Sequence, residues 1–172
     1  FDGIAIGGVA IGEPKDKMYE AIDATLPYIT KDKPRYVMGV GSPLDIIEMI
    51  ERGIDCFDSI FPTQNARHST IFTRDGLIYL DKGSYAKDFS PIEKDCKCHT
   101  CERYTKAYLN HLSKINEPSG KRLRSIHNQY FLQRMIDEIK GAIKNRKFKE
   151  FKKEFLKRYE KKALDNMLNK HK

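Results

Sequence analysis

RYVMGVGSPLDIIEMIERGIDCFDSIF, running from Arg35 to Phe61, is the stretch whose pattern decides the fold. Arg35 to Val40 is a short β-rich run closing on Gly39 and Gly41. Ser42-Pro43 then supplies a helix N-cap and a first-turn proline. Leu44, Ile46, Ile47 and Ile50 recur at helical spacing, and Gly53 has the character of a C-cap. Ile54 to Phe61 is a second strand. Working toward the N-terminus, Ile4 to Ile6 is an earlier strand that runs into Gly7-Gly8. Pro14 opens a helix with Met18, Ile22 and Leu26 on one face, and Pro27 stops it. The first sixty residues therefore read strand, helix, strand, helix, strand, which requires a parallel sheet.

Each of the three strands ends in residues too small or too polar for a core: Gly7-Gly8, Gly39 to Gly41, and Asp58. In parallel α/β proteins the C-terminal strand ends face the ligand, so a shared binding edge is expected there. Within RGIDCFDSIFPTQNAR (Arg52 to Arg67), Asp58 is a poor strand former between Phe57 and Ser59. Such rule-breaking marks it as a candidate for chemistry; the plainer alternative is that it caps the following turn. A Pro-Thr loop closed by Arg67 is expected to follow. Paired glycines such as Gly7-Gly8 permit close backbone approach to a ligand, though they also serve ordinary turns.

Beyond this, Thr70 to Thr73 and Leu77 to Leu80 flank Asp75-Gly76, a hairpin signal. Glu102 to Ile115 reads as a helix with Tyr104, Ala107, Tyr108, His111 and Leu112 on one face, broken at Asn116 to Gly120. A long helix follows from about Arg122 to Ile143. From Lys144 the chain is strongly basic, with Phe148, Phe151, Phe155, Leu156 and Tyr159 at helical spacing: an amphipathic helix packing on the body, with a membrane-surface role as the alternative.

The 172 residues suffice to bury a core, and a 40% hydrophobic content without a long apolar run argues against a membrane span. The balance of 32 Lys+Arg against 24 Asp+Glu gives +8. Such an excess attracts polyanions without distinguishing RNA, DNA or an acidic membrane surface. The opening FDGIAIGG has no initiator Met and no basic leader, so Phe1 is expected to lie inside a longer polypeptide.

Four cysteines are present, and Cys96, Cys98 and Cys101 crowd into six residues as CKCHTC. That spacing is poor for disulfides and suits a metal site in a reducing, cytoplasmic setting. A closed zinc site needs a fourth ligand, and histidine must provide it. His99 would strain the short cysteine loop, His111 faces the tyrosine stripe, and His68 is remote. His127 can fold back over the cluster through the Asn116 to Gly120 turn, so Cys96, Cys98, Cys101 and His127 are the expected ligands of Zn2+. Its role would be to pin an insert to the core.

FDGIAIGGVAIGE, YVMGVGSP, RGIDCFDSIFPTQNAR, CKCHTC, AYLNHL and the IHN around His127 occur in an order that resembles the tRNA-guanine transglycosylases, bacterial type. The resemblance covers nearly the whole chain but only the C-terminal half of that family. It implies the C-terminal part of a (β/α)8 TIM barrel with an inserted zinc-binding subdomain and C-terminal helices. The implied segments are barrel strands and helices over 1–80, the zinc subdomain over 81–130, and basic amphipathic helices over 131–172. It further implies exchange of guanine at the tRNA wobble position for a 7-deazaguanine, in queuosine biosynthesis, with Asp58 as the nucleophile forming a covalent intermediate with ribose. Gly7, Gly8, Val9, Ala10, Glu13, Tyr36, Met38 and Gly39 would form the base site; Arg67 and Gln64 would contact RNA. Tyr104, Tyr108 and His111 resemble an aromatic patch of the family's homodimer interface.

The departures are Gln64, where many bacterial members have a second Arg, and Ser42, where some have Lys. Ile11, bulky where eukaryotic members tend to have Gly, favours a small aminomethyl deazaguanine. The family's second catalytic Asp lies in earlier strands, expected in the same or another chain. The alternative function is a non-catalytic tRNA-binding or dimerisation subunit of such an enzyme.

Overall fold

The computed structural model describes the backbone of residues 1–168 and the side chains of residues 1–159. The last four residues of the 131–172 segment lie outside the described residues. The chain divides into two compact units, Phe1–Phe61 and Pro62–Lys172.

The first unit is a three-stranded parallel sheet in the order β1 (Ile4–Ile6), β2 (Arg35–Met38), β3 (Cys56–Asp58). Helices α1 (Lys15–Thr25) and α2 (Pro43–Arg52) make the two crossovers. Register pairs Ile6 with Val37, Val37 with Phe57, and Met38 with Asp58, so the strands end level with one another. Val37 and Ile6 are buried with Ile22, Ile46, Ile47 and Met49, which ties both helices to the strands. The stripe on α2 is thus Pro43, Ile46, Ile47 and Met49, whereas Leu44 and Ile50 are half-buried. Ser42 caps α2 by accepting from the Asp45 amide, and Gly53 ends it with φ 95°, a left-handed conformation that glycine takes without Cβ strain.

Several boundaries differ from the sequence expectation. Strand β3 stops at Asp58, and the expected Pro-Thr loop is a helix, α3 (Phe61–Arg67), with Pro62 in its first turn. Seven residues with one proline carry too weak a period for detection by pattern. The expected helix over Glu102 to Ile115 is two helices, α4 (His99–Arg103) and α5 (Lys106–Lys114), because Tyr104 is extended and Thr105 recaps by accepting from the Tyr108 amide. The following helix begins earlier than expected: α6 spans Pro118–Lys144, with Pro118 in its first turn and Gly120 inside it.

The second unit is built on α6. Its antiparallel hairpin pairs β4 (Thr70–Thr73) with β5 (Gly76–Tyr79), and Thr73 faces Gly76, so the two turn residues are Arg74 and Asp75, one place earlier than read. Gly76 opens β5 at φ 107°. The core gathers Ile71, Ile78, Leu80, Ile92, Leu109, Leu112 and Leu123 around the three buried cysteines. Gly120 lets α6 approach α5, since a Cβ there would lie 2.7 Å from Leu112 Cβ. The final helix, α7 (Phe148–Leu168), packs on β5 and α6 with Tyr159 buried. Among the described residues no helix is long and apolar enough to cross a membrane.

A candidate active-site edge and a candidate metal centre

At the C-terminal edge of the parallel sheet, Asp58 projects into solvent as the last residue of β3. Its Oδ1 accepts from the Tyr36 hydroxyl at 2.6 Å and from the Gly39 amide at 3.2 Å. Both donors come from β2 and the residue just after it, which parallel register sets beside Asp58. The Tyr36 hydrogen bond, aided by the Gly39 amide, holds the Asp58 carboxyl below its ordinary pKa, while the same bond raises the Tyr36 phenol. The pair is therefore an ionised carboxylate and a protonated phenol at neutral pH. Oδ2 carries neither bond. Ser59 donates to the Gly39 carbonyl at 3.1 Å and accepts from the Phe61 amide at 3.1 Å, fixing the turn after β3. Gly41 leaves room for that turn, because a Cβ there would meet Ser59 Cβ at 2.4 Å.

The loop after β1 forms the neighbouring wall. Glu13 folds back so that Oε1 accepts from the Ala10 amide at 2.5 Å and Oε2 from the Ile11 amide at 2.9 Å. Its own amide and that of Ala10, followed by those of Ile11 and Gly12, hold the Glu13 carboxyl below its usual pKa. Ala10 takes φ 59°, an uncommon conformation for a residue with Cβ, and the two Glu13 bonds fasten it. Gly39, at φ 82°, lies beneath this loop, with Ala10 Cβ 3.4 Å from where its own Cβ would stand. Met38 is half exposed, and its sulfur would be 3.4 Å from a Cβ on Gly7. Gly7 and Gly8 are exposed and Val9 is buried. Asp58, Tyr36, Met38, Gly39 and the loop from Gly7 to Glu13 thus share one edge of the first unit, as the strand-end pattern anticipates. The sequence alone gave Tyr36 no contact with Asp58; cross-strand register is what creates it. Gln64 and Arg67 are exposed, three residues apart on α3.

In the second unit, Cys96, Cys98, Cys101 and His127 are all buried, and their ligand atoms lie within 4.8 Å of one another. His127 Nδ1 is 3.7, 3.6 and 3.3 Å from the sulfurs of Cys96, Cys98 and Cys101. Thiolate and imidazole ligands around a tetrahedral divalent cation have S···N edges of about 3.5 Å, so the four residues fit such an ion. His127 Nε2 donates to the Phe72 carbonyl at 2.8 Å, which leaves Nδ1 as the lone pair facing the sulfurs. Burial opposes a charged His127, but its bonds to the Cys96 and Cys98 sulfurs and to Phe72 outweigh burial and raise its pKa to about 9, so a cation entering the cluster would displace a proton from Nδ1. Hydrogen bonds from Cys101 and Cys96 hold the Cys98 thiol well below its ordinary pKa. Of the histidines weighed against it, His99 and His111 are exposed.

Asn128, beside His127, completes the clamp on β4. Its Oδ1 accepts from the Phe72 amide at 3.0 Å, and its Nδ2 donates to the carbonyls of Pro62 and Thr70 at 3.0 and 3.1 Å. Adjacent side chains on α6 therefore hold both the amide and the carbonyl of Phe72. Arg124, one turn earlier and 1% exposed, donates to the Ala66 carbonyl at 2.8 Å, satisfying the end of α3. Sequence reading missed Arg124 and Asn128 as core residues; polar types on a long helix give no sign of which will be buried.

The family model described as Queuine tRNA-ribosyltransferase matches residues 1–161. The chain is 50% identical over 159 residues to the queuine tRNA-ribosyltransferase of Caldanaerobacter subterraneus subsp. tengcongensis, covering 92% of this chain and 42% of the relative. It is 49% identical over 159 residues to that of Helicobacter pylori (92% and 43%) and 48% identical over 160 residues to that of Pelotomaculum thermopropionicum (93% and 43%). The chain thus spans less than half the length of these curated relatives. With that match running through both the strand-end carboxylate and the Cys3His cluster, the chain belongs to the queuine tRNA-ribosyltransferase family.

Proposed function

We propose that this chain is the C-terminal segment of a tRNA-guanine transglycosylase that exchanges guanine at the wobble position of tRNA for a 7-deazaguanine, with Asp58 as nucleophile. The observation that carries the reading is the Asp58 carboxylate at the sheet edge, ionised and oriented by Tyr36 and the Gly39 amide, with Oδ2 outside those bonds. In the first half-reaction an Asp58 oxygen bonds to ribose C1′. The glycosidic C1′–N9 bond breaks, and its electron pair leaves with guanine, which takes up a proton. In the second half-reaction N9 of the deazaguanine, losing its proton, attacks C1′ and expels Asp58 as a carboxylate. A carboxylate suits both tasks at an oxocarbenium-like carbon, as in retaining glycosidases.

Gly7, Gly8, Val9 and Ala10 would line the base with backbone groups, Glu13 holding their loop. Tyr36, Met38 and Gly39 would form the facing wall, Met38 stacking on the base. Exposed Ile11 favours the small aminomethyl deazaguanine. Gln64 and Arg67 would contact the anticodon loop. The remaining barrel strands, with a second catalytic Asp, would come from the same or another polypeptide. Zn2+ is the cation assigned to Cys96, Cys98, Cys101 and His127: three thiolates and one imidazole saturate it, so it orders the fold and leaves no position for water. A homodimer face would form around the stacked Tyr104 and Tyr108, 5.5 Å apart, with His99 against Tyr104; these line a cavity of about 320 Å³ with Arg122.

Covalent trapping with an anticodon stem-loop tests the reading. The full-length protein should yield a denaturant-stable adduct that disappears in Asp58→Asn, with guanine exchange falling at least about 10³-fold. Exchange of labelled guanine by Asp58→Asn at the wild-type rate would refute the assignment. Tight tRNA binding by the wild type without any exchange would favour the non-catalytic subunit.

A further inference from the structure

The positive charge of this chain is concentrated at one end. Residues 140–172 hold 13 Lys+Arg against 4 Asp+Glu, whereas residues 1–139 hold 19 against 20. The last turn of α6, the α6–α7 connection, α7 and the residues that follow it therefore carry +9, and the rest of the chain −1, which together make the net charge of +8.

The fold arranges this charge as a stripe. Lys149, Lys153 and Lys157 are exposed at four-residue intervals on α7, so they share one face with about 6 Å of rise between neighbours. The opposite face carries Phe151, Phe155 and Tyr159, stacked in sequence with centroids 6.1 and 5.2 Å apart. That aromatic face packs on β5 and α6, and Tyr159 is only 6% exposed. Lys144, Arg146 and Lys147, all exposed, add three more cations immediately before α7. Among the described residues none of these six cations has an ion-pair partner.

Arg146 adds a second observation. It ends α6 in a Schellman motif, its amide donating to the Ile143 carbonyl at 2.9 Å and the Lys147 amide donating to the Ala142 carbonyl at 2.8 Å. The residue at that position takes φ 59°, where glycine is the favoured type and a side chain is strained. A long cation held there at a conformational cost is consistent with a use for its charge.

We infer that the exposed basic face of α7, with Lys144, Arg146 and Lys147 at its head, is a docking surface for the phosphodiester backbone of the substrate RNA. This rests on the proposed RNA substrate and adds a contact surface to it. A row of unpaired lysines neutralises successive phosphates and releases their counterions without reading bases. An anionic membrane would be attracted by the same charge, but an amphipathic helix enters lipid by its apolar face, and here that face packs on β5 and α6, with Tyr159 buried and Phe151 and Phe155 half-buried.

The test uses the full-length protein, a fluorescent unmodified tRNA transcript with guanosine at the wobble position, and vesicles containing phosphatidylserine. The triple variant Lys149→Gln/Lys153→Gln/Lys157→Gln should bind tRNA about 10- to 100-fold more weakly at 0.1 M salt, with the log K against log salt slope reduced by about 2 to 3. In guanine exchange KM for tRNA should rise by a similar factor while kcat holds, and the matching triple Lys→Arg variant should restore wild-type binding. Should the triple variant misfold, Lys153→Gln alone should lower the slope by about 1. An unchanged tRNA affinity and slope, or a loss confined to vesicle binding, would overturn the inference. If the wild type binds tRNA with this slope yet never exchanges guanine, the activity reading falls and the docking surface stands. If it exchanges guanine and the triple variant matches it, only the docking surface falls.

Discussion

Asp58 Oδ1 takes the hydrogen bonds offered by Tyr36 of β2 and by Gly39 just after it, and the one from the Tyr36 phenol is the shorter. Removing that phenol takes away the largest influence holding the Asp58 carboxyl down. Tyr36→Phe should therefore raise the Asp58 pKa, and the acid limb of the pH profile for guanine exchange should move upward. If Asp58 is the nucleophile, as proposed, a carboxylate free to rotate also spends less time in line with its target, so kcat should fall on the order of tenfold. The pH-dependence of kcat/KM checks both effects; an unmoved acid limb would show that the phenol does not act through Asp58. Glu13 works by a different route, since its acceptors are spent on the Ala10 and Ile11 amides and its role is to hold a loop.

The elements show how short segments are stabilised by neighbours. Helix α5 starts under the 88–90 turn: the Lys106 and Ala107 amides donate to the carbonyls of Ser90 and Asp88 at 2.9 and 2.8 Å. Lys106 Nζ closes the junction with bonds of 2.8 Å to both Asp88 Oδ2 and Ser90 Oγ. Lys106, first, and then Ser90 lower the Asp88 carboxyl from 3.8 to about 2. A depressed carboxyl stabilises the fold at pH above its unfolded value and loses that contribution as the pH falls through its folded value. Asp88→Asn should thus cost about 0.5–1 kcal/mol at neutral pH. The difference from the wild type should close as pH drops from 3.8 toward about 2, in denaturant titrations at each pH. A gap that persists below this window would assign the loss to packing.

For the molecule as a whole, the Cys3His cluster would, with its proposed cation, cross-link the second unit. It joins the loop before α4, α4 itself, and α6, and through the His127 Nε2 bond it reaches β4. Metal binding free energy at such a site is folding free energy. Zinc analysis should give one ion per chain, falling well below one in His127→Ala, and chelation should lower the Tm by 10 °C or more. Acid should release the ion as the thiolates protonate. An undiminished, equally tight zinc in His127→Ala would send the search for a fourth ligand back to His99 or His111.

The sequence by itself determined the parallel strand-helix alternation of the first unit, the hairpin, the long helix and the grouping of Cys96, Cys98, Cys101 and His127. Each rests on a local signal: periodicity, caps such as Ser42 and Gly53, or cysteine spacing. It also marked Asp58 as out of place in a strand, and the family motifs gave that residue a proposed role. Only the tertiary structure decided that Tyr36 bonds Asp58, that Arg124 and Asn128 are core residues, and that Arg74-Asp75 makes the hairpin turn. The α4–α5 break and the seven-residue α3 were likewise hidden from pattern. The physical reason is common to these cases. Register and burial depend on partners distant in sequence, such as Asn128 and Phe72, and no local propensity encodes which polar side chain will find its partner there.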